Sequence, residues 1–170
     1  VQGILKKASA LDIAAICPLH GPILKDNLSF YLEKYQTWST YQPEQKGVLV
    51  AYASVHGNTA HAAGLLAEML RRKGEEHVEV MDLARTDMSV AVRKAFFYDR
   101  MVVAAATYDG GLFPCMEEFL LHIKSKGFQK RTVGIMENGS WAPMAGKAMR
   151  AILETMKQIV IAEPAVTIKS

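Results

Sequence analysis

From residue 47 to the C-terminus, short apolar runs alternate with amphipathic helical patterns, and that rhythm leaves few folds open. The runs fall at 48–53, near 77–82, at 101–106, 132–136 and 159–161. The spacing predicts helices over 58–73, 87–98, from Pro114 onward, and through the Met149 to Met156 region. The run 101–106 is apolar at every position, as expected of a central parallel strand covered on both faces. Five strands separated by four helices predict an α/β chain with a doubly wound, five-stranded parallel sheet. Such sheets bind ligands beyond the carboxyl ends of their strands.

Three helices carry a recognisable inner face. Ala62, Leu65, Leu66, Met69 and Leu70 recur at a helical period, and that helix closes in Arg71-Arg72-Lys73 before Gly74. The helix opened by Pro114 is expected to bury Met116, Phe119, Leu120 and Ile123, proline suiting a first turn. The last helix is expected to bury Met149, Ile152, Leu153 and Met156. The methionines among these read as core filling rather than as metal or cofactor contacts.

Three loops follow strand ends. The first, Ser54-Val55-His56-Gly57-Asn58-Thr59, supplies two hydroxyls, an amide and a glycine just where a helix begins. Free N–H groups of a first helical turn attract anions. With no Lys or Arg, the loop suits a phosphate monoester better than a magnesium-bound triphosphate, whose loop would read GxxxxGK[ST]. Gly, Asn and Thr also serve ordinary strand-to-helix turns, so this loop alone leaves both readings open.

The second loop, Thr107-Tyr108-Asp109-Gly110-Gly111-Leu112-Phe113, sets an aromatic and two glycines at the tip of the central strand. Glycines let main chain approach a flat ring, and Tyr108 can line or stack on it. The third, Glu137-Asn138-Gly139-Ser140-Trp141-Ala142, offers N–H groups and a second aromatic. Each is compatible with a plain turn, but together they mark one edge of the sheet as a binding edge.

Residues 1–46 depart from this rhythm. Ile13 to Ile16 reads as a short strand entering the turn Cys17-Pro18-Leu19-His20-Gly21-Pro22, and residues 27–38 as a short helix with Leu28, Tyr31, Leu32 and Tyr35 on one face. A piece this small is expected to be the tail of another domain, packed as an arm against the main domain or a neighbouring copy so as to bury Tyr31, Leu32, Tyr35 and Trp38, and joined through the polar linker 42–46. At 170 residues and 50% hydrophobic, the chain suits one main domain with such an appendage. A net charge of +3, mixed along the chain, argues against nucleic acid as a partner. No run reaches membrane-spanning length, and Cys17 and Cys115 have no metal or redox spacing, so a reduced cytoplasmic setting is expected. At a helix start, Cys115 is either a thiol of lowered pKa or a buried structural one. His61, His77 and His122 read as surface residues, whereas His20 and His56 are candidates for special roles.

With these motifs in hand, residues 47–170 resemble a flavodoxin domain: the loop from Ser54 to Thr59 matches an FMN phosphate loop, and the second and third loops match those flanking the isoalloxazine. Pro18-Leu19-His20-Gly21-Pro22-Ile23 and the aromatic helix from Tyr31 to Trp38 resemble the close of a metallo-β-lactamase-like diiron domain. In this order they are similar to the C-terminal part of a flavodiiron protein. The resemblance implies strand order 2-1-3-4-5 with the closing helix lacking, and domains at 1–46 and 47–170. It implies FMN held by Ser54, Val55, His56, Gly57, Asn58, Thr59, Thr107, Tyr108, Asp109, Gly110, Gly111, Glu137, Asn138, Gly139, Ser140 and Trp141. It further implies a rubredoxin-like electron donor, a homo-oligomer, and electron delivery to a partner subunit's diiron centre that reduces dioxygen or nitric oxide. His20 would be an iron ligand only in an intact parent.

Rival readings remain. An NAD(P)H:quinone oxidoreductase or a stand-alone electron carrier would bind the same FMN, though no motif announces a nicotinamide or quinone pocket. A receiver domain needs acids after the first strand, where Tyr52-Ala53-Ser54 supplies none. A metallohydrolase built on His20-Gly21 lacks further ligands.

Overall fold

The computed structural model describes residues 1–139 and 142–168. The chain divides into two compact units, Val1–Pro43 and Glu44–Ser170.

The first unit holds two helices, α1 (Gln2–Ala8) and α2 (Leu28–Ser39), with a single antiparallel bridge between Ile16 and Leu24. The expected strand at 13–16 is therefore reduced to one bridged residue. α1 was not anticipated, because seven residues ending in Lys6-Lys7-Ala8 carry too little periodicity to stand out. Gln2 Nε2 donates to Gln36 Oε1 at 3.2 Å and to Ser39 Oγ at 2.6 Å, tying α1 to α2. Asn27 enters α2 through a left-handed conformation, φ 51°, which asparagine tolerates better than most residues. Tyr35 and Trp38 meet edge to face at 5.8 Å, and both are exposed in the single chain.

The second unit contains, in order, β1 (Gln45–Ala53), α3 (Asn58–Arg72), β2 (Val78–Asp82), α4 (Met88–Phe97), β3 (Tyr98–Tyr108), β4 (Gly111–Leu112), α5 (Pro114–Ser125), β5 (Arg131–Asn138), α6 (Ala145–Leu153), β6 (Ile159–Ile161) and β7 (Val166–Ile168). The sheet runs β2-β1-β3-β5-β6, parallel throughout, with β7 also parallel to β5 and β4 folded back antiparallel on β3. Counting β6 and β7 as one position, this is the flavodoxin-like order 2-1-3-4-5.

Three details differ from the sequence reading. β1 begins at Gln45, inside the span read as linker. The fifth position is split: β6 pairs with Arg131–Val133 of β5, and β7 pairs with Met136–Asn138. Pro164 lies in the gap, and proline cannot donate to a ladder. β3 and β4 form a hairpin whose two turn residues, Asp109 and Gly110, both have positive φ (46° and 70°). Asp-Gly is the dipeptide such turns favour.

Successive residues of β1 pack on opposite faces of the sheet. Leu49, Ala51 and Ala53 join α4, α5 and α6 in the larger core, while Val48 and Val50 face α3. Met116, Phe119, Leu120 and Ile123 of α5 are fully buried, as are Met149 and Leu153 of α6. α3 departs from expectation. Its buried residues are Thr59, Ala63 and Ala67, with Leu66 and Leu70 partly covered, while Leu65 and Met69 are 48% and 56% exposed. Small residues bring the helix axis close to the sheet, and that closeness turns Leu65 and Met69 outward.

Candidate functional site

At the carboxyl ends of β1, β3 and β5 the three loops enclose a cleft of about 340 Å³. It is lined by Ser54, Val55, His56, Asn58, Thr59, Ala106, Thr107, Gly110, Asn138, Gly139 and Ala142.

The first wall is built by the turn after β1. Gly57 N–H donates to Ser54 Oγ at 3.1 Å, and Gly57 takes φ +92°. A Cβ there would meet open space, so it is the backbone angle, not crowding, that requires glycine. His61 N–H donates to the Gly57 carbonyl at 2.8 Å, the first bond of α3. No side chain caps α3, so the amides of its first turn are left for something else to satisfy.

Under this opening lie two polar side chains with almost no exposure, Thr59 at 1% and Asn138 at 8%. Asn138 Nδ2 sits 3.5 Å from Thr59 Oγ1 and donates to it, joining the ends of β5 and α3 across the sheet. Burying an amide and a hydroxyl beside a cleft is costly unless they are hydrogen-bonded. Among the described residues of the lining there is no Lys, Arg, Asp or Glu.

The opposite wall is the hairpin and the start of α6. Thr107 Oγ1 accepts from Met144 N–H at 2.9 Å and from Ala145 N–H at 3.2 Å. Gly139 packs so closely that a Cβ would lie 3.0 Å from Pro143 Cα and 3.2 Å from Thr107 Oγ1. Tyr108, on the hairpin, meets Phe113 edge to face at 5.4 Å and keeps much of its ring in solvent.

Of the residues singled out in sequence, the cleft gathers Ser54, Val55, His56, Asn58, Thr59, Thr107, Gly110, Asn138 and Gly139. Gly57 shapes the first turn, and Tyr108, Asp109 and Gly111 form the hairpin beside the lining. Glu137 is engaged elsewhere: its carboxylate accepts from Gly146 N–H at 2.7 Å and from the Thr167 hydroxyl at 2.9 Å. Ser140 and Trp141 lie outside the described residues. Ala106 and Ala142 were not singled out, since an alanine carries no chemical signal, and only the lining reveals them. His20 is exposed in the first unit, and no group of three or more His, Cys, Asp or Glu among the described residues is placed to hold a metal ion. Burial pushes the Cys115 thiol up, favouring the structural reading of the two. Among the described residues no helix is long and apolar enough to cross a membrane.

This cleft has an open helix N-terminus at one end and close main chain at the other, an arrangement able to take an anion joined to a flat body. Comparison with known proteins agrees. Residues 49–162 match the family model for a flavodoxin domain, and the chain belongs to that family. It is 26% identical over 156 residues to the rubredoxin-oxygen oxidoreductase of Megalodesulfovibrio gigas, covering 91% of this chain and 38% of that protein. The structure of rubredoxin oxygen:oxidoreductase from the anaerobe Desulfovibrio gigas superposes with TM-score 0.89 at 24% identity, covering 99% of this chain and 42% of that one. A flavo di-iron protein from Thermotoga maritima superposes with TM-score 0.84 at 24% identity, again over 99% of this chain and 42% of that one. The chain is thus homologous to the flavodoxin-like part of flavodiiron proteins and spans about two-fifths of their length.

Proposed function

We propose that the cleft binds FMN and that the chain is the electron-transfer domain of a flavodiiron-type oxidoreductase. The observation that carries this reading is the uncapped start of α3 above the buried pair Thr59 and Asn138. The residues fit the group. A phosphate monoester finds first-turn amides and the hydroxyls of Ser54 and Thr59, with no basic side chain in the lining. A planar ring finds Thr107 beside Gly110 and Gly139, the two glycines letting main chain come near, with Tyr108 at the rim. Flavin, when bound, supplies the redox chemistry and exchanges electrons singly or in pairs. The protein's own contribution is to hold the phosphate, fix the ring against the hairpin, and limit water through the buried floor.

In this reading electrons arrive from a rubredoxin-like protein and leave for a diiron centre, held by a partner subunit of a homo-oligomer, that reduces dioxygen or nitric oxide. Residues 1–46 are the closing part of a diiron domain, with His20 an iron ligand only in the intact protein, and residues 47–170 are the flavin domain. The setting is cytoplasmic.

The test is a pair of titrations, with FMN and with riboflavin, which lacks the phosphate. The parent chain binds FMN far more tightly than riboflavin. Thr59→Ala loses about 1.5–3 kcal/mol of FMN affinity, the worth of a charge-assisted hydrogen bond, and leaves riboflavin affinity unchanged. Equal binding of FMN by variant and parent would remove the phosphate from this loop.

A further inference from the structure

Two of the helices that begin at this edge of the sheet, α3 and α6, are treated differently. Every α-helix leaves its first amides without an internal partner. At α3 no side chain among the described residues caps them. At α6, residues from two other strands do: Met144 and Ala145 donate to Thr107 Oγ1, and Gly146 donates to Glu137 Oε2 at 2.7 Å. The other Glu137 oxygen accepts from Thr167 on β7 at 2.9 Å. One carboxylate therefore joins β5, the start of α6 and β7. Gly146 makes room for it, since a Cβ there would lie 2.9 Å from both Glu137 Cδ and Oε2.

An anion already sits at α6, and the protein itself supplies it. Of these two helix starts, that of α3 is the one left for a ligand phosphate. The same contact fixes the segment Ala142–Gly146, whose first residue lines the cleft. We infer that Glu137 is a positioning residue: its carboxylate occupies the start of α6 and thereby holds the segment Ala142–Gly146 in the posture that receives the flavin ring. The inference rests on the flavin reading and concerns the ring end of the cleft, whereas Thr59 concerns the phosphate end.

The experiment compares parent, Glu137→Ala and Glu137→Gln by fluorescence titration with FMN and with riboflavin, and records visible circular dichroism of the bound flavin. Glu137→Ala is expected to weaken both ligands by the same factor, about tenfold, as loss of a charged acceptor at a helix start implies. The dichroism should change, because the ring environment changes. Glu137→Gln keeps an acceptor for Gly146 N–H and should recover most of the affinity. In the flavin-free protein, amide hydrogen exchange at Gly146 should quicken in Glu137→Ala while the first turn of α3 is unaffected. Should the alanine variant fail to fold, Glu137→Gln and Thr167→Val carry the comparison, with smaller but equal losses for the two ligands. A parent that binds flavin and a variant that binds it identically, with the same dichroism, would overturn this inference and leave the flavin reading intact. A loss confined to FMN would also overturn it, by assigning Glu137 to the phosphate. A parent that binds neither ligand would sink both.

Discussion

Single residues here are set by what surrounds them, and Tyr98 shows it most clearly. Its ring is buried at the start of β3, and its hydroxyl donates to Glu79 Oε2 at 2.9 Å, an oxygen that also accepts from Lys94 Nζ at 2.6 Å. Burial first, and the Glu79 carboxylate second, push the phenol up to about 12 from an ordinary 10. The folded state therefore favours the protonated phenol. Its contribution to stability is complete below about pH 10 and is lost as pH rises from there through about 12. Urea unfolding across that window should show the parent losing stability, with Tyr98→Phe lacking that part of the loss. If the two profiles ran parallel, Tyr98 would not be the residue responsible. Tyr52 is also raised, chiefly by burial and then by Asp82, so two of the six tyrosines should resist alkaline titration.

Among the elements, α3 separates hydrophobic pattern from hydrophobic contact. Periodicity placed Leu65 and Met69 inward, yet Ala63 and Ala67 are fully buried and the larger residues face out. Ala63→Leu should cost about 1–3 kcal/mol, because side-chain volume has nowhere to go between helix and sheet. Leu65→Gln should stay within about 0.5 kcal/mol. Denaturant titration of the two variants checks this, and the reverse ranking would restore the sequence-derived face. The same helix must present its open N-terminus to the cleft, and close seating on the sheet brings Thr59 within reach of Asn138.

For the molecule as a whole, the two units predict separable behaviour. A chain of residues 44–170 should unfold in one cooperative step and bind FMN as the full chain does, since every residue lining the cleft lies in that unit. Weaker binding by the shortened chain would show that residues 1–43 take part in the site. Loaded with flavin and supplied with reduced rubredoxin and its reductase, the full chain should accept electrons without consuming nitric oxide in an anaerobic electrode cell. One exposed imidazole, His20, cannot hold two irons that need several ligands. Sustained, iron-dependent consumption would overturn that expectation.

How far the sequence reached differs by feature. The alternation of strands and helices, the buried faces of α5 and α6, and the three loops were legible because each depends on local pattern: period 2 against period 3.6, proline at a first turn, glycine and hydroxyls where a strand meets a helix. The Asp109-Gly110 hairpin was equally present in the sequence and was passed over as a loop. Other features had no local signal. Arg131 opens β5 as a charged residue, yet it is buried, donating to the carbonyls of Tyr98 and Phe96 at 2.7 Å, more than thirty residues away. Nothing near Glu137 in the sequence announces that its carboxylate lies between Gly146 and Thr167. The sequence by itself determined which segments are strands and helices and which edge of the sheet carries the loops, because those follow from side-chain periodicity and backbone preference. Only the tertiary structure decided which polar groups satisfy each other and which helix start stays open, because hydrogen-bond partners are chosen by distance in space, and neighbours in the fold are far apart along the chain.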